Sequence, residues 1–223
     1  SQGAVPSGQT LIRFATAGAP DFQTVSYLIV LNTSGNGHQP LAQRYNSDYN
    51  DWSYVFLVGG GRGYADAPVL EQVYQDAAPG GYRPFPVQYA PQAVMLRTAV
   101  ANANVQFGFD IQFDRCAVDR APPSGTATPS PAPSPSMSAS PNPGRVCPPF
   151  AYDQSNWKVS LFTVDRAGSV IDSLSPTSAT ASDYSFGLDT SLLVQTNDFK
   201  PRTNTSVQNL AAQIVGVEVF STP

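Results

Sequence analysis

Oxygen-bearing side chains crowd one short stretch of this chain: Asn46, Asp48, Asn50 and Asp51 sit within Asn46-Ser47-Asp48-Tyr49-Asn50-Asp51. Carboxylates and carboxamides at alternate positions are what a hard cation such as calcium takes from a loop. The spacing departs from an EF-hand, because Asp51 stands where the tight turn needs glycine and Leu57 where a bidentate glutamate belongs. Calcium at these four residues is one expectation; a turn built on side-chain-to-backbone hydrogen bonds is the other. No other cofactor is suggested. Two cysteines and one distant histidine lack the ligand spacing of a zinc site.

Catalytic constellations are thin. His38 is the only histidine, so a hydrolytic triad would have to use it, and it falls in the turn Gly35–Pro40 as an exposed polar residue. No Gly-x-Ser-x-Gly elbow occurs. Asp110, Asp114, Asp165 and Glu218 could supply the paired carboxylates of a glycosidase, yet any chain with 16 acids offers such pairs. Gly59-Gly60-Gly61-Arg62-Gly63 lacks the Lys-Ser/Thr ending of a phosphate loop and reads as a glycine turn. The expectation is a protein that is not an enzyme.

Aromatic residues are a stronger signal for binding. Tyr45, Tyr49, Trp52 and Tyr54 are followed by Tyr64, Tyr74, Tyr82, Phe85 and Tyr89. Aromatic faces stack on sugar rings and give contact area at low entropic cost. Trp52 and Tyr54 are expected on one face of a strand, turned to the core. The glycine- and proline-bearing loop Tyr74–Tyr89 is the better ligand surface, with Tyr74, Tyr82, Phe85 and Tyr89 as its contacts and a polysaccharide as the ligand.

These residues must be carried on strands. Charged residues make up 13% of the chain against 41% apolar, glutamate appears only at Glu71 and Glu218, and lysine only at Lys158 and Lys200. That apolar share supports a core, while good helix-forming surface residues are nearly absent. Period-two alternation marks strands over Thr10–Thr16, Thr24–Asn32, Trp52–Val58, Ala93–Ala101, Val105–Phe113, Trp157–Asp165, Ser169–Leu174 and Ile214–Ser221. Tyr184–Leu188 and Ser191–Thr196 are shorter candidates, and Leu70–Gln75 and Val207–Ala212 are the places where a helical turn is allowed. Thr33–Gly37, Asn102–Asn104 and Arg166–Gly168 read as turns. Within Val105–Phe113, alternate residues from Val105 to Phe113 should share one face, with Gln106, Asp110 and Gln112 opposite.

The fold expected is an all-β antiparallel sandwich, immunoglobulin-like or jelly-roll-like, of about ten short strands. Residues 1–14 read as an N-terminal arm that can form a first strand, and 15–223 as a single sandwich domain. Residues 117–146 interrupt it as a Pro/Ser/Thr-rich loop between Cys116 and Cys147, in which Pro122–Gly144 are almost nothing but proline, serine, threonine, alanine and glycine. Too little apolar side chain is present there to form a core. Such tracts are the compositional mark of O-glycosylated stalks, which makes Thr126, Thr128, Ser130 and Ser134 candidate acceptors. Asn32-Thr33-Ser34 and Asn204-Thr205-Ser206 fit the N-glycosylation pattern, a match close to chance in so Ser/Thr-rich a chain; if used, Asn32 and Asn204 would be exposed loop positions. A Cys116–Cys147 bridge across the tract is worth roughly 3.5–4 kcal/mol in the chain-entropy picture. It would place the protein in an oxidising compartment. The start at Ser-Gln-Gly reads as a processed terminus.

In its Pro/Ser tract, cysteine pair and turn-punctuated strands, carried mainly by residues 105–165, the chain resembles secreted prokaryotic surface proteins of β-sandwich type. The resemblance is one of style and implies a secreted or cell-surface location. The missing catalytic constellations, the low charge and the arm Ser1–Thr10 lead to the expectation of a non-enzymatic structural or adhesive glycoprotein that could self-assemble as a filament or array subunit. Net charge is −4 with no run of Lys/Arg, which excludes nucleic acid as an expected partner. The longest strongly apolar run, Tyr27–Leu31, is far too short to span a bilayer. The partners expected are copies of the chain itself or other surface proteins. The arm Ser1–Thr10 could then reach a neighbour's sheet edge with Leu11–Phe14 as the pairing strand.

Overall fold

The computed structural model describes residues 5–38, 40, 51–60, 69–75, 82–86, 93–98, 107–118, 157–174, 185–188, 197–199 and 204–222. In chain order its strands are β1 (Gln9–Thr16), β2 (Ser26–Asn32), β3 (Tyr54–Gly59), β4 (Val69–Gln75), β5 (Tyr82–Pro86) and β6 (Val94–Thr98). Then come β7 (Phe107–Asp114), a 3-10 turn (Arg115–Val118), β8 (Trp157–Val164), β9 (Val170–Ser173), β10 (Ser185–Leu188), β11 (Asn197–Phe199) and β12 (Ile214–Ser221). They form two antiparallel sheets, a β-sandwich as the alternation requires. One has five strands in the order β11-β12-β1-β7-β6; the other has seven, in the order β10-β8-β2-β3-β4-β5 with β9 also on β8.

The first strand is therefore not at an edge. β1 lies in the middle of its sheet, with Phe14 opposite Val217 of β12 on one side and Phe109 of β7 on the other. Gly108 makes this approach possible. Its φ is 151°, and a Cβ there would strike the carbonyl oxygen of Phe14, so only glycine fits beside β1.

Between the sheets lies one apolar cluster. Ile12, Phe14, Phe109, Ile111, Phe113, Val217 and Val219 come from the five-stranded sheet, and Tyr27, Ile29, Tyr54, Phe56, Val159 and Leu161 from the other. Phe14 stacks on Phe109 at 5.2 Å between centroids and meets Tyr27 edge-on at 5.5 Å, while Phe56 packs on Phe113 at 4.8 Å. Each such pair adds about 0.5–1.5 kcal/mol to area burial.

A second buried layer lies on the far side of the seven-stranded sheet: Leu28, Val30, Val55, Leu57, Phe162 and Val164, with Val73 and Trp52. Trp52 stacks on Phe162 at 6.0 Å. Trp52 thus belongs to this layer while Tyr54 faces the other sheet, which corrects the expectation that they share a face. The reason is local: the strand begins only at Tyr54, so period two does not extend back to Trp52.

One further reading is corrected. Leu70–Gln75 is not a helical turn but most of β4, paired with β3 and β5. Leu70 is buried between the sheets and Val73 in the outer layer, so pairing and two-sided burial override local preference. At Val207–Ala212 there are isolated turns closed by Val207 N to Asn204 O and Ala212 N to Asn209 O, without a helix. Phe107, expected in line with Phe109, is 41% exposed at the strand end. The Arg166–Gly168 turn joins β8 to β9 as expected, with Gly168 donating to Asp165 O. Ser191–Thr196, Val105 and the Asn102–Asn104 turn lie outside the described residues. No helix among the described residues is long and apolar enough to cross a membrane.

Candidate functional site

Strand β1 brings the two farthest parts of the chain to one guanidinium. Arg13 is opposite Glu218 of β12 and Asp110 of β7. Its Nε and Nη2 donate to Asp110 Oδ1 and Oδ2 at 2.9 and 3.2 Å, and Nη1 donates to Glu218 Oε2 at 2.9 Å. Side-chain exposure is only 13% for Arg13 and 7% for Asp110. Burial works against the charged guanidinium, but the two carboxylates outweigh it and hold its pKa above the ordinary value. Phe220 lies under the cation, 5.8 Å from its ring centroid.

Of the four acids considered as a glycosidase pair, the fold gathers Asp110 and Glu218, and the chain's own cation fills the space between them. The other two serve the backbone. Asp114 Oδ1 accepts from Cys116 N, and Asp165 Oδ1 from Ala167 N and Ser169 N.

At the start of β1 a second arginine closes the sheet. Arg115, 2% exposed, donates through Nη1 to Gln9 O and Ser221 Oγ and through Nη2 to Thr222 O. Burial pulls its pKa below the usual arginine value, with Asp114 opposing. Thr10 Oγ1 and Ser221 Oγ are hydrogen-bonded at 2.8 Å beside it. One side chain thus ties both ends of the described chain to the end of β7. At the other end of β12, buried Asp172 accepts from Ile214 N at 2.8 Å through Oδ2 and from Ser173 N through Oδ1. Burial raises its pKa to about 6 against the pull of those two N–H groups. The same segment is held by Tyr27 Oη, which donates to Ala211 O, and by Thr163 Oγ1, which donates to Ala212 O. Burial pushes the Tyr27 hydroxyl up to about 12.

A polar loop follows β2. Asn32 Oδ1 accepts from Ser34 N and Oγ, while its Nδ2 donates to Asn36 Oδ1 at 2.7 Å and His38 O at 2.9 Å. Asn32 is 2% exposed, which corrects its reading as an exposed glycan acceptor: its amide nitrogen is buried and already donates twice. Asn204 does sit in a loop, with Oδ1 accepting from Ser206 N and Oγ. His38 is exposed as expected, and its Nδ1 lies 3.2 Å from Asp51 Oδ1. Asp51 has a left-handed φ of 63°, uncommon without glycine.

Of the calcium candidates, Asp51 is bonded to Asn36 and His38, and Asn46, Asp48 and Asn50 lie outside the described residues. Among the described residues no group of three or more metal-capable side chains comes together. Tyr74 and Tyr82 belong to a hairpin and not to a loop: Tyr74 is opposite Arg83, Gln75 opposite Tyr82 and Gln72 opposite Phe85 at the sheet edge formed by β5. Tyr89, Cys147, Thr126, Thr128, Ser130 and Ser134 lie outside the described residues. Cys116 is not a free thiol.

Sequence reading did not single out Arg13, Arg115 or Asp172. Arg13 was accessible, because the alternation Thr-Leu-Ile-Arg-Phe-Ala-Thr sets it on the face away from Ile12 and Phe14. Arg115 and Asp172 depend on tertiary contacts that no local pattern encodes. Compared with known proteins, the chain matches no family model, no curated protein and no solved structure.

Proposed function

We propose that this chain is a non-enzymatic structural or adhesive protein of an extracellular surface that assembles with copies of itself by donating β1. The observation that supports this reading most is the place of β1: an N-terminal strand inserted between β7 and β12, whose neighbours all come from far along the chain. Every contact made by Ile12, Arg13 and Phe14 in that slot could be made by the same strand of a second copy. Exchange of an identical element conserves the interactions and costs mainly ordering entropy. The Pro/Ser/Thr-rich composition of 122–144, flanked by Cys116 and Cys147, fits secretion to the cell surface, where the two cysteines would be bridged and Thr126, Thr128, Ser130 and Ser134 would carry O-glycans. Ala117 and Val118, expected in this loop, belong instead to the core. Electron microscopy of the native protein, beside its mass in solution, tests the reading. Filaments or multimers that vanish on deletion of Ser1–Phe14 are expected; multimers unchanged by the deletion would overturn strand donation.

A second reading, a carbohydrate-binding module, draws on the β4–β5 hairpin, which brings the backbones of Tyr74, Tyr82 and Phe85 into adjacent register at a sheet edge. It predicts retention on polysaccharide affinity gels that is lost in Tyr74→Ala or Tyr82→Ala. No retention on any glycan would discard it.

A further inference from the structure

The geometry points to Asn36 as a self-modifying residue, one whose side-chain amide the folded loop converts to a carboxylate. Asn36-Gly37 is the one Asn-Gly pair in the sequence. Gly37 has no side chain to shield its nitrogen, and its φ of 77° is a left-handed value that glycine adopts without strain. Asn36 is exposed. Its Oδ1 accepts from His38 N at 2.9 Å, a contact that folds the side chain back along the Asn36–Gly37 peptide.

The surroundings match what the reaction needs. When a backbone nitrogen attacks Asn36 Cγ, negative charge builds on Oδ1. Two donors already point at that oxygen, His38 N at 2.9 Å and Asn32 Nδ2 at 2.7 Å. Donors at such distances stabilise a developing oxyanion. Positive charge meanwhile builds on Nδ2 as it is protonated to leave, and Nδ2 donates to Asp51 Oδ1 at 3.3 Å. Asp51 is held there by His38, whose Nδ1 must carry the proton because a carboxylate can only accept.

The step balances with water alone. Gly37 N gives its proton to solvent and bonds to Asn36 Cγ, the Cγ–Nδ2 bond breaks, and Nδ2 departs as ammonia with a proton returned by water. Water then opens the cyclic imide at either carbonyl, leaving aspartate or isoaspartate at position 36. The product loses the donor to Asp51 and sets a second carboxylate against it, so one of the two bonds that join the loop to Asp51 is replaced by repulsion, leaving only that from His38.

Peptide mass mapping of the full chain during incubation at mildly alkaline pH tests this, comparing folded protein with protein unfolded in urea. The folded protein should gain the mass of an amide-to-acid change at Asn36 on the order of tenfold faster than the unfolded one. Asp51→Asn is the diagnostic variant, since asparagine tolerates the left-handed φ and the fold is kept; it should slow the folded-state reaction toward the unfolded rate. A folded-state rate at or below the unfolded rate overturns the proposal, as does an Asp51→Asn rate equal to that of the parent protein.

Discussion

On the five-stranded sheet, the side chains turned away from the partner sheet include Arg13, Asp110 and Glu218; on the seven-stranded sheet the corresponding face carries Leu28, Val30, Val55, Leu57, Phe162 and Val164. Both back faces are largely buried, but the first carries an ion cluster beside Leu11 and Ala15, whereas the second is apolar on both sides. The difference bears on how each sheet fixes its register. Slipping β1 by one residue would turn Arg13 into the apolar core and Ile12 and Phe14 out of it, so the ion cluster forbids the slip. A slip of β2 would exchange Leu28 and Val30 for Tyr27 and Ile29, apolar for apolar. Its register rests instead on shape: Tyr27 Oη reaching Ala211 O, and Phe162 against Trp52.

The largest test of this contrast is Phe162→Ala. If the far face of the seven-stranded sheet is true core, the change costs about 3–5 kcal/mol in urea or guanidinium unfolding, the same class as Phe56→Ala between the sheets. A cost below about 1 kcal/mol would make that face ordinary surface. Next comes Arg13→Ala, which leaves the nearly buried Asp110 without its cation and should cost about 3 kcal/mol, whereas Arg13→Leu with Asp110→Leu should recover most of it. If the double replacement is as damaging as the single one, the cluster is packing and not charge.

Asp172, which pins the start of β12, gives a smaller and pH-dependent effect. Its folded pKa of about 6 stands above the ordinary aspartate value of 3.8, so the folded state holds its proton more tightly. The resulting stabilisation is complete below the unfolded value and is lost as pH rises through about 6, on the order of 2 kcal/mol across that window. Urea midpoints measured from pH 4.5 to pH 7.5 should show that loss, and Asp172→Asn should flatten it. An equal slope in both proteins would assign the effect to other groups.

The same contrast explains what the sequence disclosed. β12, Ile-Val-Gly-Val-Glu-Val-Phe-Ser, alternates, and its expected bounds Ile214–Ser221 are those of the strand. β1, β7 and β8 were legible within one or two residues of their expected ends for the same reason. β4 and β5 were not. Val-Leu-Glu-Gln-Val-Tyr-Gln carries helix-tolerant residues, and Tyr-Arg-Pro-Phe-Pro carries two prolines, which local reading assigns to a loop although an edge strand admits them. Of the candidate sites, His38 in its turn was foreseen, but its partner Asp51 sits 13 residues on. Asn32 carried two readings, the end of the strand Thr24–Asn32 and an exposed acceptor; the strand does end there and its side chain is buried. Arg115 and Asp172 work on partners more than forty residues away, beyond any local window.

The claim that β1 is exchangeable between copies can be tested by mixing two variants whose charges are wrong for themselves and right for each other. One carries Arg13→Glu; the other carries Asp110→Arg and Glu218→Arg. Native mass spectrometry of the mixture should show complexes containing both chains in equal number, absent from either variant alone. Two separate monomer masses, unchanged by mixing, would contradict strand donation.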